Sequence, residues 1–179
     1  MRPLRNLLLL ILVGAFLAGV WSTHRPPAAR SQSQPPSGPP FQTAAAARSH
    51  DGQPAGRLIW VHPSRQEGFD RVEFAFDRAL PSWRVAYVSS LRDGADGRLP
   101  LQGRAVLGVS FHPVLAHDPG GDPSFQPQTI TPSYDSLRQV RLAGDFEGRV
   151  RLGLGLRART GFRVLESSEP PRIIVDVRA

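Results

Sequence analysis

The sequence contains no cysteine and no lysine. Without cysteine the chain forms no disulfide and cannot carry a lipid on an N-terminal cysteine, so its stability must come from a hydrophobic core. All 22 basic residues are therefore arginine, which fits a GC-rich coding bias at least as well as a need for guanidinium groups. No segment of the chain beyond the N-terminal apolar run has the periodicity of a long amphipathic helix, which argues against a helical fold class.

Acidic residues are absent from the N-terminal part of the chain. All 15 follow residue 49, where they meet 17 arginines, so the net charge of +7 falls to +2 for this larger part. The high isoelectric point of about 11.4 therefore comes mainly from the N-terminal segment. A nucleic-acid-binding domain needs a clustered basic face, and the charge balance predicts no nucleic-acid partner.

The N-terminus has the pattern of an export signal. Arg2 and Arg5 precede a mostly apolar, uncharged run over residues 7–21, which predicts a signal peptide or signal anchor over residues 1–22. The run is shorter than the ~20 residues of a typical spanning helix, and Val20 and Ser22 offer an acceptable cleavage site. Two interpretations stay open: a secreted chain with a cleaved signal, or a single-pass anchor with the C-terminal domain outside the cytoplasm. In the second case, residues 7–21 are the only membrane contact.

Residues 23–56 are rich in proline, serine, glutamine and alanine, and proline pairs recur at 26–27, 35–36 and 39–40. Such a segment buries too little apolar surface to offset its ordering entropy. The composition predicts a disordered linker between the export segment and a domain over residues 57–179.

This C-terminal part has the period-two pattern of two-sided strands. Apolar residues alternate with polar or small ones in five segments, at residues 72–76, 83–87, 105–111, 150–156 and 173–177. Turn residues separate the segments, among them Asp93-Gly94 and the stretch 119–122. The pattern predicts an all-β fold, an antiparallel two-sheet β-sandwich, with a long surface loop at residues 116–132.

Four separated motifs carry a resemblance to a known family. They are Gly144-Asp145-Phe146-Glu147-Gly148, Phe69-Asp70-Arg71-Val72-Glu73-Phe74-Ala75-Phe76, Gly161-Phe162-Arg163-Val164 and Pro170-Pro171-Arg172-Ile173-Ile174-Val175-Asp176-Val177. In this order they resemble the AMIN-like domain of exported proteins from high-GC bacteria, over roughly residues 57–178. The resemblance implies a small β-sandwich, distantly similar to the AMIN domains that accompany peptidoglycan amidases and secretins. It implies a non-catalytic envelope module that binds peptidoglycan.

No recognisable catalytic or cofactor pattern occurs in the sequence. His112 and His117, followed by Asp118 and Asp122, come nearest to a metal motif, but their spacing favours a solvated strand end and a turn. The carboxylates of Asp145 and Glu147 are interpreted as turn and edge residues. We expect no enzyme activity, no cofactor and no metal.

A candidate ligand face follows from the alternation in residues 149–157. Arg149, Arg151 and Arg157 point outward together with Gly153 and Gly155. Guanidinium groups hold carboxylates or phosphates, and glycine in a strand marks the close approach of a ligand or another backbone. These five residues are the predicted binding site for an anionic wall polymer.

Two further interpretations stay open. Trp60, Trp83 and Tyr87 could stack on sugars, although most of them are expected in the core. The partner could also be an envelope protein, docked through a sheet edge or through the 116–132 loop.

Overall fold

A computed structural model describes residues 38–93 and 97–179. This part of the chain contains thirteen strands and no helix. The strands are β1 (Ala46–Arg48), β2 (Gly56–Gln66), β3 (Phe69–Phe76), β4 (Ser82–Val88), β5 (Leu91–Asp93), β6 (Gly97–Leu99), β7 (Ala105–His112), β8 (Val114–Leu115), β9 (Thr129–Ile130), β10 (Leu137–Phe146), β11 (Arg149–Leu156), β12 (Phe162–Ser168) and β13 (Pro171–Arg178). The predicted all-β fold is confirmed.

The strands form two main sheets. One has six strands in the order β1-β4-β7-β11-β10-β9, and the other has five in the order β12-β13-β3-β2-β8. All neighbours are antiparallel except β2 and β8, which pair in parallel. A separate hairpin, β5-β6, follows β4.

The core lies between the two sheets, as the alternation predicts. Phe74 and Phe76 of β3 make edge contacts with Phe111 of β7, with ring centroids 5.1 Å apart in both pairs. Because β-strands alternate their faces, the residues between these apolar positions point away from the core. The alternation that places apolar residues in the core therefore also determines which residues lie on the outer face of each sheet.

The described fold extends to the N-terminal side of residue 57, where the domain was predicted to begin. Residues 38–50, which we call the N-terminal strap, belong to the same compact unit as the rest of the described residues. Strand β1 pairs with β4, and the backbone of Gln42 exchanges hydrogen bonds with Phe162 of the other sheet. The predicted disordered linker is therefore wrong for residues 38–56.

Side chains also contact the strap and fix it to the sandwich. The Arg163 guanidinium lies 4.7 Å from the centre of the Phe41 ring, and His50 Nε2 lies 2.9 Å from a carboxylate oxygen of Glu166. These contacts could not be read from composition, since the strap looks locally like a linker. The predicted export segment, residues 1–22, and the first part of the linker lie outside the described residues.

Candidate binding face

The outer face of the six-stranded sheet brings arginines from two strands into one row. Arg84 of β4 pairs with Ser110 of β7, and Ser110 pairs with Arg151 of β11. Neighbouring strands lie about 4.8 Å apart, so the backbones of Arg84 and Arg151 are roughly 10 Å apart. Both arginines lie on the outer face, one on each side of the Ser110 position.

The next row along the strands extends the positive charge. Strands β7 and β11 are antiparallel, and Phe111 pairs with Val150. The next pair in this register is therefore His112, which follows Phe111, and Arg149, which precedes Val150, and both lie on the outer face. We call the surface formed by Arg84, Ser110, His112, Arg149 and Arg151 the arginine face. Three strands that are adjacent in the sheet contribute to it, although their residues are far apart in sequence.

None of the eight ion pairs recorded for the described residues involves Arg84, Arg149 or Arg151. Arginines elsewhere in the sandwich are engaged, as the pair Arg71–Asp176 illustrates at 2.7 Å. The hydrogen bonds that Arg71 donates to the Asp176 carboxylate raise the pKa of Arg71. The arginine face therefore presents cations whose hydrogen-bonding capacity is not used within the described fold.

A glycine on the neighbouring strand makes room for Arg151. Gly144 of β10 lies opposite Arg151, and a methyl group on Gly144 would stand 3.2 Å from its guanidinium. Such a contact is tighter than side chains normally allow. Gly144 thus lets the Arg151 side chain lie across β10, which gives this residue of the Gly-Asp-Phe-Glu-Gly motif a defined role.

Two shallow depressions meet on the arginine face and share Arg84 and Ser110. The first, of about 270 Å³, also contains Arg151 and has a floor of Ala86 and Gly108 beside the β5 strand. The second, of about 400 Å³, extends toward Arg149. One acidic residue, Asp51, lines the second depression at the side of the strap.

Gly153 and Gly155, which the sequence places on an open face, are buried. A methyl group on Gly155 would stand 2.1 Å from the Gln102 carbonyl oxygen, and one on Gly153 would stand 2.6 Å from the Leu91 side chain. The chain itself covers both glycines, since the Gln102 backbone approaches Gly155 and the side chains of Leu91 and Leu101 lie over Gly153. The expectation that they contact a ligand directly is therefore wrong.

Arg157 is exposed but lies apart from the other two predicted arginines. The covered glycines separate it from Arg151 along the strand, and Arg104 hydrogen-bonds to Leu156 at this end. Of the five predicted site residues, only Arg149 and Arg151 share an open surface. Sequence reasoning missed Arg84, Ser110 and His112, because alternation shows which residues point outward but not which strands are neighbours.

The histidines do not form a metal site in the part of the chain described here. No cluster of three or more His, Asp or Glu side chains there is arranged to hold a metal. His112 lies at the end of β7, whereas His117 contacts Asp145 through its Nδ1 atom. Asp118 accepts hydrogen bonds from the backbone N–H groups of Gly120 and Asp122, in keeping with the predicted turn.

Asp145, the acidic residue of the Gly-Asp-Phe-Glu-Gly motif, joins the long loop to β10. One of its carboxylate oxygens accepts the Ala116 N–H at 2.6 Å and contacts His117. Glu147 and Gly148 have positive φ angles of 51° and 69° and form the turn between β10 and β11. The motif therefore builds the hairpin that carries Arg149 and Arg151.

Only one of the three proposed sugar-stacking residues is accessible. Trp83 is buried, with its indole N–H donated to Glu166, and the Tyr87 ring is covered by Arg159 at 4.6 Å. Trp60 is 40% exposed on the opposite sheet, where the His62 ring stacks on it at 4.8 Å. Phe146 of β10, which is not among these three residues, is 72% exposed and pairs with Arg149, so an exposed aromatic ring does border the arginine face.

The two packed sheets define a β-sandwich domain with an open cationic face on the six-stranded sheet. The model of the AMIN-like domain family matches residues 57–179, and the chain belongs to this family. No curated protein and no solved structure matches the sequence. The matched range omits the strap, which the structure shows to be part of the same compact unit.

Membership in this family indicates an extracellular or cell-envelope module, and domains of this family are generally non-catalytic binding modules. Within residues 38–93 and 97–179, no helix is long and apolar enough to cross a membrane. The predicted anchor at residues 7–21 lies outside these ranges.

Proposed function

We propose that the protein is an exported, non-catalytic envelope module whose arginine face binds peptidoglycan or another anionic polymer of the cell wall. The observation that carries this proposal is the set of unpaired guanidinium groups of Arg84, Arg149 and Arg151 on one open sheet. Guanidinium groups bind carboxylates and phosphates in bidentate geometry. Wall peptides supply carboxylates, and other wall polymers supply phosphates.

The shape of the face supports an extended ligand. The two depressions are shallow and adjoin one another, so a chain can cross β4, β7 and β11 without entering a closed cavity. The depressions do not collect a catalytic constellation, and His112 has no acidic partner within the described residues. A binding role therefore fits the face better than a reaction does.

The test is co-sedimentation of the full chain, purified in mild detergent, with protein-free peptidoglycan sacculi. We expect the native chain to sediment with the sacculi and an Arg84→Gln/Arg149→Gln/Arg151→Gln variant to stay in the supernatant. Exposed charges are screened by salt, so binding should weaken between low and moderate ionic strength. Melting curves for each variant would show that the fold is retained.

The matched control is Arg104→Gln/Arg157→Gln beside the double variant Arg84→Gln/Arg151→Gln. Both control arginines are exposed at the far end of the same sheet, and the change in net charge is the same. Binding lost equally by both double variants would indicate attraction to net charge rather than a site. Sedimentation unaffected by all the substitutions would refute the arginine face as the binding surface.

A protein-interaction module is a second candidate, favoured by an apolar patch on the five-stranded sheet. Ile59 and Trp60 are 42% and 40% exposed at a β-bulge in β2. The 116–132 loop is less suited to docking by rearrangement, because Phe125 is buried and Ser124 binds the Leu58 carbonyl. If the native chain fails to sediment, cross-linking in cells with and without Trp60→Ala would test this candidate.

A further inference from the structure

The first depression of the arginine face combines charge with an apolar floor, which narrows the kind of ligand it fits. Arg84 and Arg151 stand on one side, Ala86 and Gly108 form the floor, and Leu91 and Arg92 of β5 stand on the other side. A ligand lying there meets guanidinium groups and methyl groups at once. A phosphate group alone would use the charges but leave the floor without a partner.

The size of this depression sets a second limit. Its volume is about 270 Å³, slightly below the ~300–1,000 Å³ of most ligand pockets. It therefore holds the end of a ligand rather than several sugar rings. None of the side chains that line it is aromatic, so it offers no stacking surface for a sugar.

Gly108 is the residue that keeps this floor low. A methyl group at Gly108 would stand 3.3 Å from the Val88 side chain, which is 41% exposed and able to move. Close packing requires a glycine at position 155, where a methyl group would stand 2.1 Å from the Gln102 backbone oxygen. It does not require one at position 108 in the same way. The floor of Ala86 and Gly108 lies beside the row that contains Arg84 and Arg151. It has room for a small side chain next to a carboxylate.

We propose that this depression binds the free C-terminal carboxylate of a short peptide with small aliphatic side chains, as found at the ends of peptidoglycan peptides. The carboxylate would lie above Ser110, bound by Arg84 and by Arg151 once the Arg151 side chain, which lies over Gly144 of β10, turns toward β7. The terminal side chain would lie on Ala86 and Gly108. The rest of the peptide would continue over the second depression toward Arg149. This inference rests on the proposed wall-binding function and names the part of the wall that is recognised.

The test is an NMR titration of the full chain with D-alanyl-D-alanine, with its C-terminal amide and with inorganic phosphate. We expect the free carboxylate to shift the amide signals of Arg84, Ser110 and Arg151. The amide should bind at least tenfold more weakly, because it cannot form the charged bidentate contact. Binding of the amide as tight as that of the carboxylate would overturn the proposal.

Two variants separate the floor from the charges. Gly108→Val fills the depression and leaves every arginine in place, so it should weaken dipeptide binding and leave the response to phosphate unchanged. Arg84→Gln/Arg151→Gln should abolish both responses, whereas Arg104→Gln/Arg157→Gln should abolish neither. If Gly108→Val binds the dipeptide as the native chain does, the apolar floor has no part in recognition and the proposal is wrong.

The source of the peptide is tested by the L-form of the same dipeptide, since proteins end in L-residues. Clearly weaker binding of L-alanyl-L-alanine supports a wall peptide, whereas equal or tighter binding of it would contradict recognition of the wall peptide and leave protein C-termini as ligands. Sedimentation with sacculi is measured in parallel. Sedimentation without any dipeptide response would overturn only the peptide inference, whereas loss of sedimentation would overturn the proposed function itself.

Discussion

At the scale of single residues, the clearest departure from simple alternation is Asp176. The sequence pattern places it on the outer face of β13, and its side chain does point away from the core, yet it is fully buried. Arg71 donates hydrogen bonds to both of its carboxylate oxygens and Arg163 donates to one of them, and Phe41 of the strap lies over Arg163. Alternation alone could not predict this burial, because the residues that cover Asp176 come from distant parts of the chain.

We expect Asp176→Ala to lower the free energy of unfolding by about 3–5 kcal/mol, since it leaves the buried Arg163 guanidinium unpaired. Urea denaturation would measure the change. Asp135→Ala is the control, because Asp135 and Arg65 are exposed and 3.7 Å apart, and such pairs contribute ~1 kcal/mol or less. Equal losses in the two variants would contradict the assigned role of Asp176.

The carboxylate of Glu166 links stability to pH. Burial acts to raise its pKa, but hydrogen bonds from His50, Trp83 and Arg48 outweigh burial and hold the pKa below its ordinary value of 4.5. The unfolded chain therefore binds this proton more readily than the folded chain. The stabilisation is present above about pH 4.5 and is lost as the pH falls through the lower, folded-state pKa.

At neutral pH, Glu166→Ala should lower the free energy of unfolding by about 1–3 kcal/mol, because it leaves the Trp83 indole N–H without its acceptor. Urea denaturation from pH 7 to pH 3 would follow this difference. It should shrink at the acid end, where the native chain loses the charged part of the interaction. A difference that grows toward acid would have the wrong sign for a lowered pKa.

At the scale of elements, the segment at 101–103 packs closely over β11 because Gly153 and Gly155 have no side chains. Gly155→Ala would place a methyl group 2.1 Å from the Gln102 carbonyl oxygen, so the segment must move away. We expect a loss of roughly 3 kcal/mol or more, at or above the usual range for overpacking. Gly108→Ala, also on the outer face of this sheet, places its methyl group 3.3 Å from the Val88 side chain and 3.5 Å from the Ala86 carbonyl oxygen, and should change stability by less than ~1 kcal/mol. Thermal unfolding of the two variants would compare them, and equal stability would contradict the described packing.

The strap makes a second prediction at this scale. The guanidinium carbon atoms of Arg163 and Arg178 lie 4.7 Å and 5.0 Å from the centre of the Phe41 ring. Phe41→Ala should destabilise the domain by about 1–3 kcal/mol through lost cation–π and apolar contacts, and hydrogen exchange of β1 should accelerate. If Phe41→Ala leaves both unchanged, the strap is not held by this contact.

The elements that the sequence revealed are those with unbroken alternation. β3, β4, β7, β11 and β13 all show it, and all lie where the pattern predicts. β2 and β10 were not predicted as strands, because a bulge at Ile59 and register shifts in β10 interrupt the period of two. β1 is three residues long and owes its strand conformation to pairing with β4 rather than to its own residues.

At the scale of the whole domain, the fold class was predictable and the make-up of the arginine face was predictable only in part. The alternation and the turn residues indicate a sandwich, and Arg149 and Arg151 were assigned correctly to an outer face. The arginine face also needs Arg84, which reaches Arg151 through Ser110 because β7 lies between β4 and β11. Strand order is a property of the assembled sheets, and no local pattern encodes it.

The two outer faces of the sandwich differ in chemistry. The six-stranded sheet presents unpaired arginines, whereas the five-stranded sheet presents Trp60 stacked on His62, with Arg172 nearby at 5.7 Å. The proposed function assigns wall binding to the first face alone. Substitutions at Trp60 should therefore leave sedimentation with sacculi unchanged.

The most direct test of the arginine face is protection of a single thiol by the cell wall. Because the chain has no cysteine, Ser110→Cys and Ser167→Cys each introduce one reactive group, the first on the arginine face and the second on the opposite sheet. The rate of modification by N-ethylmaleimide is measured with and without sacculi. We predict that sacculi slow the reaction at position 110 several-fold and leave the reaction at position 167 unchanged, whereas protection at 167 alone, or at neither position, would contradict the assignment of wall binding to the arginine face.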